Sequence, residues 1–201
     1  MESTVSLYNL ALARLGGDQT PLNISPIEDD AVGVLCKNLF PHVLSLTLAR
    51  HDWSFARKRV ALAELPGPRP GNELYAYAYK LPADCLRPVR LDGYGGINRA
   101  PEYVIEGNAL LTNVGQAVLL YNANVTDPKA WPPEFADALA WMLAGEIASA
   151  RLNDAQKQQM CWQAYQTSIA NAIALDQARQ NAPQPVSAWN AARDGASWRI
   201  Y

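Results

Sequence analysis

Apolar residues recur at helical spacing near the start of the chain. Four of them follow each other in steps of 3, 4 and 3 and therefore share one helix face: Val5, Tyr8, Leu12 and Leu15. Ser3 or Thr4 precedes this pattern and suits an N-cap, while Gly16-Gly17 follows it and suits a helix end. The pattern predicts a short amphipathic helix.

A capping box predicts the start of a second helix. Ser25 is followed by Pro26, which suits the first helical position, and then by Glu28. Apolar residues continue from there at helical spacing: Val34, Leu35, Leu39, Val43, Leu46 and Ala49. Pro41 removes one backbone hydrogen bond, so we expect a kink near it.

After Trp53 the sequence pattern changes from helical spacing to an alternation with a period of two residues. Residues 55–64 alternate as a strand does, and Tyr75, Tyr77 and Tyr79 fall on one face of the next predicted strand. Further short strands are predicted at four places: 86–91, 103–106, 109–112 and 116–125. Glu106-Gly107-Asn108 predicts a tight hairpin turn. Five or six short strands in a row indicate a small antiparallel sheet or sandwich.

Two helices are predicted after Trp131-Pro132-Pro133. The first carries one apolar stripe that ends near Asn153: Phe135, Leu139, Met142, Leu143 and Ile147. The second is capped by Asp154 and runs to about Gln180, a length of about 40 Å. Its outer face is poor in charge, which is typical of a helix that packs on a neighbouring subunit.

The order of these elements predicts an α+β fold. A helical bundle is formed by residues 1–52 and 126–181, with a β-rich insertion at 53–125 and an extended C-terminal arm at 182–201. The arm has aromatic and arginine residues, the types enriched at binding hot spots: Trp189, Arg193, Trp198, Arg199 and Tyr201. We interpret it as a segment that docks on a partner. The alternative is a segment packed on its own domain.

The amino-acid composition indicates a folded chain whose surface contacts other proteins. Hydrophobic residues make up 49% of the 201 positions, and charged residues 18%, below the usual share of roughly 25%. The net charge of −2 conceals an alternation. Residues 1–49 and 101–201 each carry −3, and residues 50–100 carry +4. The basic middle of one molecule could therefore meet the acidic ends of its neighbour.

The cysteine pattern and the hydropathy of the chain indicate in which cellular compartment the protein is located. Cys36, Cys85 and Cys161 are widely spaced and odd in number, which predicts reduced, mostly buried thiols in a cytosolic protein. No basic segment followed by an apolar one marks an export signal at the start. The longest charge-free apolar stretch, 38–49, is shorter than a membrane span. We therefore expect neither a secreted nor an integral membrane protein.

Few residues are arranged for chemistry. His42 and His51 are the two histidines, and neither lies in a nucleophile or metal-ligand motif. The glycines at 93–96 are followed by neither Lys-Ser/Thr nor a predicted helix, so they do not make a phosphate loop. These patterns predict no enzyme activity, no cofactor and no metal. For Arg57, Lys58 and Arg59, three interpretations stay open: a solvated strand face, a protein interface or a DNA contact.

Four blocks of the sequence resemble the head–tail adaptor, or tail tubular protein A, family of short-tailed bacteriophages. The blocks are short, lie within residues 5–180 and follow each other in the same order as in that family. The first two are the helix at 9–16 and the segment Trp53-Ser54-Phe55-Ala56-Arg57-Lys58-Arg59. The other two are the segment Tyr79-Lys80-Leu81-Pro82-Ala83-Asp84-Cys85-Leu86-Arg87 and residues 121–135, which contain Val125-Thr126-Asp127-Pro128 and Trp131-Pro132-Pro133-Glu134-Phe135. The arm after Pro183 matches no motif of the family.

The resemblance implies a structural virion protein. Such adaptors form a twelve-fold ring beneath the portal and carry the tail nozzle or the next tail protein, and the genome passes through the lumen without being read. A helical bundle with a β-rich insertion is the fold that it implies. Its location would be the head–tail joint of the virion, and the host cytoplasm before assembly.

Two other functions stay open from the sequence. The first is a cytosolic, hydrolase-like enzyme with a site in the β-region that uses Asp84, Cys85 and His51. The second is a tail-completion protein that forms a ring at another joint of the virion.

Overall fold

The computed structural model describes residues 3–16, 30–66, 74–92 and 102–180. In these ranges the chain forms an α+β fold, as the sequence predicts. Its helices are α1 (Thr4–Leu15), α2 (Ala31–Ala49), α3 (Pro133–Ile147) and α4 (Ala155–Gln180). Its strands are β1 (Arg57–Ala61), β2 (Ala63–Glu64), β3 (Tyr77–Lys80), β4 (Cys85–Asp92), β5 (Tyr103–Glu106), β6 (Ala109–Thr112) and β7 (Val118–Ala123).

The start of α1 agrees with the sequence, and the start of α2 does not. The Ser3 hydroxyl accepts a hydrogen bond from the amide of Ser6 at 3.1 Å, so Ser3 caps α1. In α2 the cap is Asp30, whose carboxylate accepts a hydrogen bond from the amide of Val32 at 2.9 Å. The prediction of a start at Ser25 was therefore wrong for this helix, and the capping box itself lies outside the described residues.

The strands form two antiparallel sheets. The first has the order β1-β7-β4 and the second the order β2-β3-β6-β5. The single strand predicted at 55–64 was wrong, because Ser54–Ala56 is a 3₁₀ turn and β1 and β2 belong to different sheets. At the break, the amide of Leu62 donates to the carbonyl of Ala117 at 2.9 Å, so the chain crosses between sheets there.

A two-residue turn joins β5 to β6. Glu106 pairs with Ala109, which leaves Gly107 and Asn108 as the turn predicted from the sequence. The φ angle of Gly107 is 60°, in the left-handed region that favours glycine. A positive φ at the first central residue alone is the geometry of a type II′ hairpin turn.

The four helices share one hydrophobic core. Rings from α1, α2, α3 and the segments around them form a continuous aromatic series, with neighbouring centroids 4.9–6.1 Å apart: Tyr8, Phe40, Trp131, Phe135, Trp53 and Phe55. The Trp53 side chain is 1% exposed, and its indole donates to the carbonyl of Thr47 at 3.2 Å. The chain therefore enters its β-region from an anchored point inside the helical core.

A second, smaller core lies among the strands. Its fully buried members come from both sheets: Tyr79, Leu91, Leu110 and Leu119. The Tyr79 hydroxyl donates to the carbonyl of Val114 at 2.9 Å, so this buried polar group is satisfied.

Among the described helices, α2 is long and apolar enough by composition to cross a membrane. The same features characterise a core helix. One face of α2 packs in the helical core through Cys36, Phe40, Val43, Leu44 and Leu48.

A half-buried arginine joins three helices. Arg14 of α1 forms an ion pair with Asp137 of α3, donates to the Asp137 carbonyl at 2.7 Å, and lies 4.2 Å over the ring of Trp141. Asp137 also accepts a hydrogen bond from the Ser168 hydroxyl of α4 at 2.8 Å. This charged group therefore supports the packing of α1, α3 and α4.

We expect Arg14→Met to lower the free energy of unfolding by about 2 kcal/mol. The substitution keeps an apolar stem of similar length but removes charge-assisted hydrogen bonds and a cation–π contact. Urea unfolding followed by circular dichroism measures the change. Arg50→Met, at an exposed arginine, is the control and should change the free energy by less than about 0.5 kcal/mol. Equal effects of both substitutions would contradict a stabilising role of the Arg14 contacts.

Candidate assembly interface

The outward side of α4 is a long surface without charge. Eleven exposed positions between 156 and 178 make up this surface, which we call the α4 outer face: Gln156, Gln159, Met160, Gln163, Gln166, Thr167, Ala170, Asn171, Ala174, Gln177 and Ala178. At 1.5 Å per residue it extends over about 33 Å. Soluble surfaces usually carry charge at about a quarter to a third of their positions.

Exposed apolar side chains lie within this face and beside it: Met160 belongs to the face, and Trp162 and Leu175 border it. Met160 is 49% exposed, Trp162 38% and Leu175 45%. Trp162 reaches back over α3, where a Cβ atom added to Gly145 would meet its ring at 3.0 Å. Near the start of α4, an open groove of about 480 Å³ is lined by Gln159, Met160 and Gln163 of this face and also by the charged residues Asp154 and Lys157. Depletion of charge with exposed apolar groups is typical of the centre of a protein interface.

A buried carboxylate connects the end of α4 to the start of the β-region. Asp176 is 1% exposed. It accepts hydrogen bonds from the backbone amide of Ser54 at 3.1 Å, from the Ser54 hydroxyl and from the Gln180 side-chain amide at 2.6 Å. The Nε2 atom of His51 lies 3.2 Å from the same carboxylate. We call these four residues, His51, Ser54, Asp176 and Gln180, the junction.

These contacts set the charge state of Asp176. Burial opposes the charged carboxylate, but the hydrogen bonds from Ser54 and Gln180, together with His51, outweigh it and lower the pKa of Asp176 below its ordinary value. A buried and ionised carboxylate is stable only where donors surround it. The junction is therefore a structural anchor that holds residues 51–54 against α4.

The junction continues into the first sheet. The Gln180 side chain donates to the carbonyl of Asp52 at 3.0 Å and accepts from Arg57 of β1 at 2.9 Å. Asp52 forms an ion pair with Arg87 of β4. The last turn of α4 thus contacts the strands at the point where the chain leaves the helices.

The three neighbouring basic residues of β1 each contact a partner in the same chain. Arg57 binds Gln180, Lys58 lies 2.6 Å from Asp84, and Arg59 lies 3.4 Å from Asp92. Arg57 is half-buried, whereas Lys58 and Arg59 are exposed at the surface. Of the interpretations left open by the sequence, these contacts favour a strand face that balances its charge within the chain.

Asp84, Cys85 and His51 have separate partners. The Asp84 carboxylate binds Lys58, which lowers its pKa, and accepts a hydrogen bond from the Tyr121 hydroxyl at 3.0 Å. Burial and the Asp84 charge raise the pKa of the Cys85 thiol, the opposite of what activates a nucleophile. His51 instead faces Asp176 in the junction. The contacts that the structure gives these residues do not form a relay from base to nucleophile.

The other two thiols are buried in the helical core. Burial raises the pKa of Cys36 to about 11 and also raises the pKa of Cys161. Both therefore stay protonated at neutral pH. Within the described part of the chain, no three His, Cys, Asp or Glu side chains come together as metal ligands.

The predicted binding residues of the arm lie outside the described residues. These are Trp189, Arg193, Trp198, Arg199 and Tyr201. The structure describes the chain up to Gln180, which ends α4, belongs to the junction and accepts a hydrogen bond from Arg57 of β1.

No family model matches the chain. A search of curated proteins finds no match.

Proposed function

We propose that the protein is a structural subunit of a bacteriophage head–tail connector. In this proposal, twelve copies form a ring beneath the portal and carry the tail nozzle or the next tail protein. The genome passes through the lumen of the ring without sequence-specific contact. The protein acts by assembly in the virion, after folding in the host cytoplasm, and catalyses no reaction.

The uncharged α4 outer face is the observation that carries the proposal. A soluble monomer gains nothing by exposing about 33 Å of helix without a charge, whereas a subunit interface needs such a surface because burying charge is costly. Met160 within the face, and Trp162 and Leu175 at its borders, add exposed apolar area. The face fits a contact with a neighbouring copy in a ring.

The junction supports the same function in a second way. A ring that joins two other assemblies transmits force between its body and its outer parts. Asp176 and Gln180 fix the β-region to the helix that presents the outer face. In such a subunit the α4 outer face and the β-region keep a constant position relative to each other.

The arm supplies the remaining contact of the proposal. Trp189 and Trp198, with Arg193, Arg199 and Tyr201, would dock on the portal or on a neighbouring subunit. The resemblance of four sequence blocks to head–tail adaptors is the reason for choosing a phage connector among ring-forming proteins.

We expect Ala170→Glu with Ala174→Glu to weaken assembly on purified portal rings about a hundredfold. Two charges would have to be buried at the centre of the α4 outer face, and each costs about tenfold or more in affinity. Native mass spectrometry counts the subunits bound to the portal at increasing protein concentration. Both positions are exposed, so the unfolding temperature should stay unchanged.

The matched control is Ala13→Glu with Ala31→Glu. It places the same two charges at exposed positions of α1 and α2, away from the α4 outer face. The control should assemble as the unmodified protein does. Normal assembly of the Ala170→Glu, Ala174→Glu variant would remove α4 from the interface.

A further inference from the structure

The end strand β5 differs from the other exposed strand edges. Natural sheets protect their edges with short strands, prolines, bulges and charged residues. β2 has two residues, β4 contains Pro88 and two shifts of register, and β1 carries the three neighbouring basic residues. β5 has none of these features over Tyr103, Val104 and Ile105. Among the described strands it pairs with β6 alone.

The register shows which backbone groups of β5 face outward. Glu106 and Ala109 flank a two-residue turn and form a hydrogen-bonded pair, so Val104 and Leu111 form the next one. The intervening residues, Tyr103 and Ile105, therefore direct their N–H and C=O groups away from β6. A strand added at this edge could form backbone hydrogen bonds with these N–H and C=O groups.

The two faces of β5 carry different kinds of side chain. Tyr103 and Ile105 lie on one face of the strand, and Val104 and Glu106 lie on the other, because successive side chains alternate. Val104 is 38% exposed and Ile105 is 41% exposed. A matching strand would be apolar on one face and would carry a positive charge on the other.

The last five residues of the chain have this pattern. In Ser197-Trp198-Arg199-Ile200-Tyr201, Trp198 and Ile200 alternate with Arg199. Trp, Ile and Tyr favour strands. Paired with β5, Trp198 and Ile200 would lie opposite Tyr103 and Ile105, and Arg199 would lie opposite Val104. Glu106 would then be the diagonal neighbour of Arg199 on the same face, within reach of its long side chain.

We propose that residues 197–201 of a neighbouring copy add a strand to the edge of β5 that no described strand occupies. The arm leaves α4 at Gln180, which contacts β1. β2 follows β1 directly and is three strand positions, about 14 Å, from β5 in its sheet. Gln180 is therefore near the β2 side of the second sheet, whereas the acceptor strand β5 is at the other edge of that sheet. A head-to-tail contact of this kind forms a ring where its rotation closes. The inference rests on the proposed function for its neighbouring copy.

Photo-cross-linking in the full-length protein tests this inference. The photoreactive residue p-benzoylphenylalanine replaces Ile105, and an equal mixture of ¹⁵N-labelled and unlabelled protein is assembled on portal rings and irradiated. Mass spectrometry identifies the joined peptides. We expect cross-links from position 105 to residues 197–201, with the mixed isotope masses that identify two different copies. The same residue at Val60, 38% exposed on the edge strand β1, is the control and should give no cross-link to 197–201.

Charge exchange makes the test specific. Arg199→Glu should lower the yield of the cross-link about tenfold, and Arg199→Glu combined with Glu106→Arg should restore it. Ile105→Pro removes an outward N–H without removing a β5–β6 hydrogen bond. In this variant, p-benzoylphenylalanine placed at Trp198 should no longer cross-link to β5.

Three results would overturn the inference. They are cross-links from position 105 only to other segments such as 93–101, cross-links to 197–201 of the same copy only, and a yield unaffected by Arg199→Glu. None of these concerns ring formation, which is counted separately by native mass spectrometry. A failure of strand addition is therefore distinguishable from a failure of the proposed function.

Discussion

Asp176→Asn should lower the free energy of unfolding by about 3 kcal/mol. The buried carboxylate accepts hydrogen bonds from the Ser54 amide, the Ser54 hydroxyl and Gln180. An asparagine of the same shape offers one acceptor oxygen and an NH₂ group that faces donors. Buried donors without an acceptor cost about 1–3 kcal/mol each. Urea unfolding at neutral pH measures the effect.

Asp30→Asn is the matched control. Asp30 is exposed, and asparagine is an equally good N-cap, so this change should cost less than about 0.5 kcal/mol. Similar losses for both variants would contradict the anchoring role of Asp176.

The same residue predicts a pH dependence. Because the pKa of Asp176 is lowered in the folded state, its contribution is fully present above the ordinary value of 3.8. It is lost as the pH falls through the lower pKa of the folded state. The difference in unfolding free energy between the unmodified protein and Asp176→Asn should therefore be constant from neutral pH to about pH 5 and decrease below about pH 4. A difference that grows in acid would contradict this assignment.

Deletion of residues 182–201 should weaken the joining of the protein to portal rings about a thousandfold. The deletion removes Trp189 and Trp198, and each hot-spot tryptophan contributes about 2 kcal/mol or more. The loss is expected whether the arm docks on the portal or on a neighbouring subunit, because the ring is built on the portal. Co-sedimentation of portal rings with increasing amounts of each protein measures it.

A full-length variant separates loss of the arm from loss of the fold. Trp189→Ala with Trp198→Ala should show most of the same weakening with an unchanged circular dichroism spectrum and unfolding temperature. A truncated protein that joins portal rings as well as the intact one would refute the arm as a binding element.

The sequence predicted the helices well where local signals and core packing agree. α1 has a serine cap, an apolar stripe and a terminal glycine, and each is used in the structure. In α4, Asp154 accepts a hydrogen bond from the amide of Lys157 at 3.0 Å and caps the helix as predicted. Between α3 and α4, the turn Ala148–Leu152 is π-helical, which an apolar stripe does not reveal.

The errors arose where two local signals competed or where contacts are distant in sequence. Both Ser25 and Asp30 can cap a helix, and sequence alone gave no reason to choose the second. The separation of β1 from β2 depends on a hydrogen bond from Leu62 to Ala117, 55 residues away. The alternating pattern of 55–64 could not show that crossing, because the alternation is the same in either sheet.

The junction was missed, although a signal for it exists. Asp176 lies on the buried stripe of α4 with Tyr165, Ile169 and Ala172. A lone carboxylate on such a stripe indicates a buried acid with dedicated donors. The identity of the donors could not be predicted, since Ser54 and His51 are more than 120 residues away. Asp137 is similar, because its partner Arg14 is 123 residues away in sequence.

The central claim is that the protein is a ring component at the portal joint. Quantitative mass spectrometry of purified phage particles tests it most directly, by measuring the copy number of the protein relative to the portal protein. The account predicts a ratio of one to one, because both would form twelve-fold rings. Absence of the protein from the particle would contradict the account.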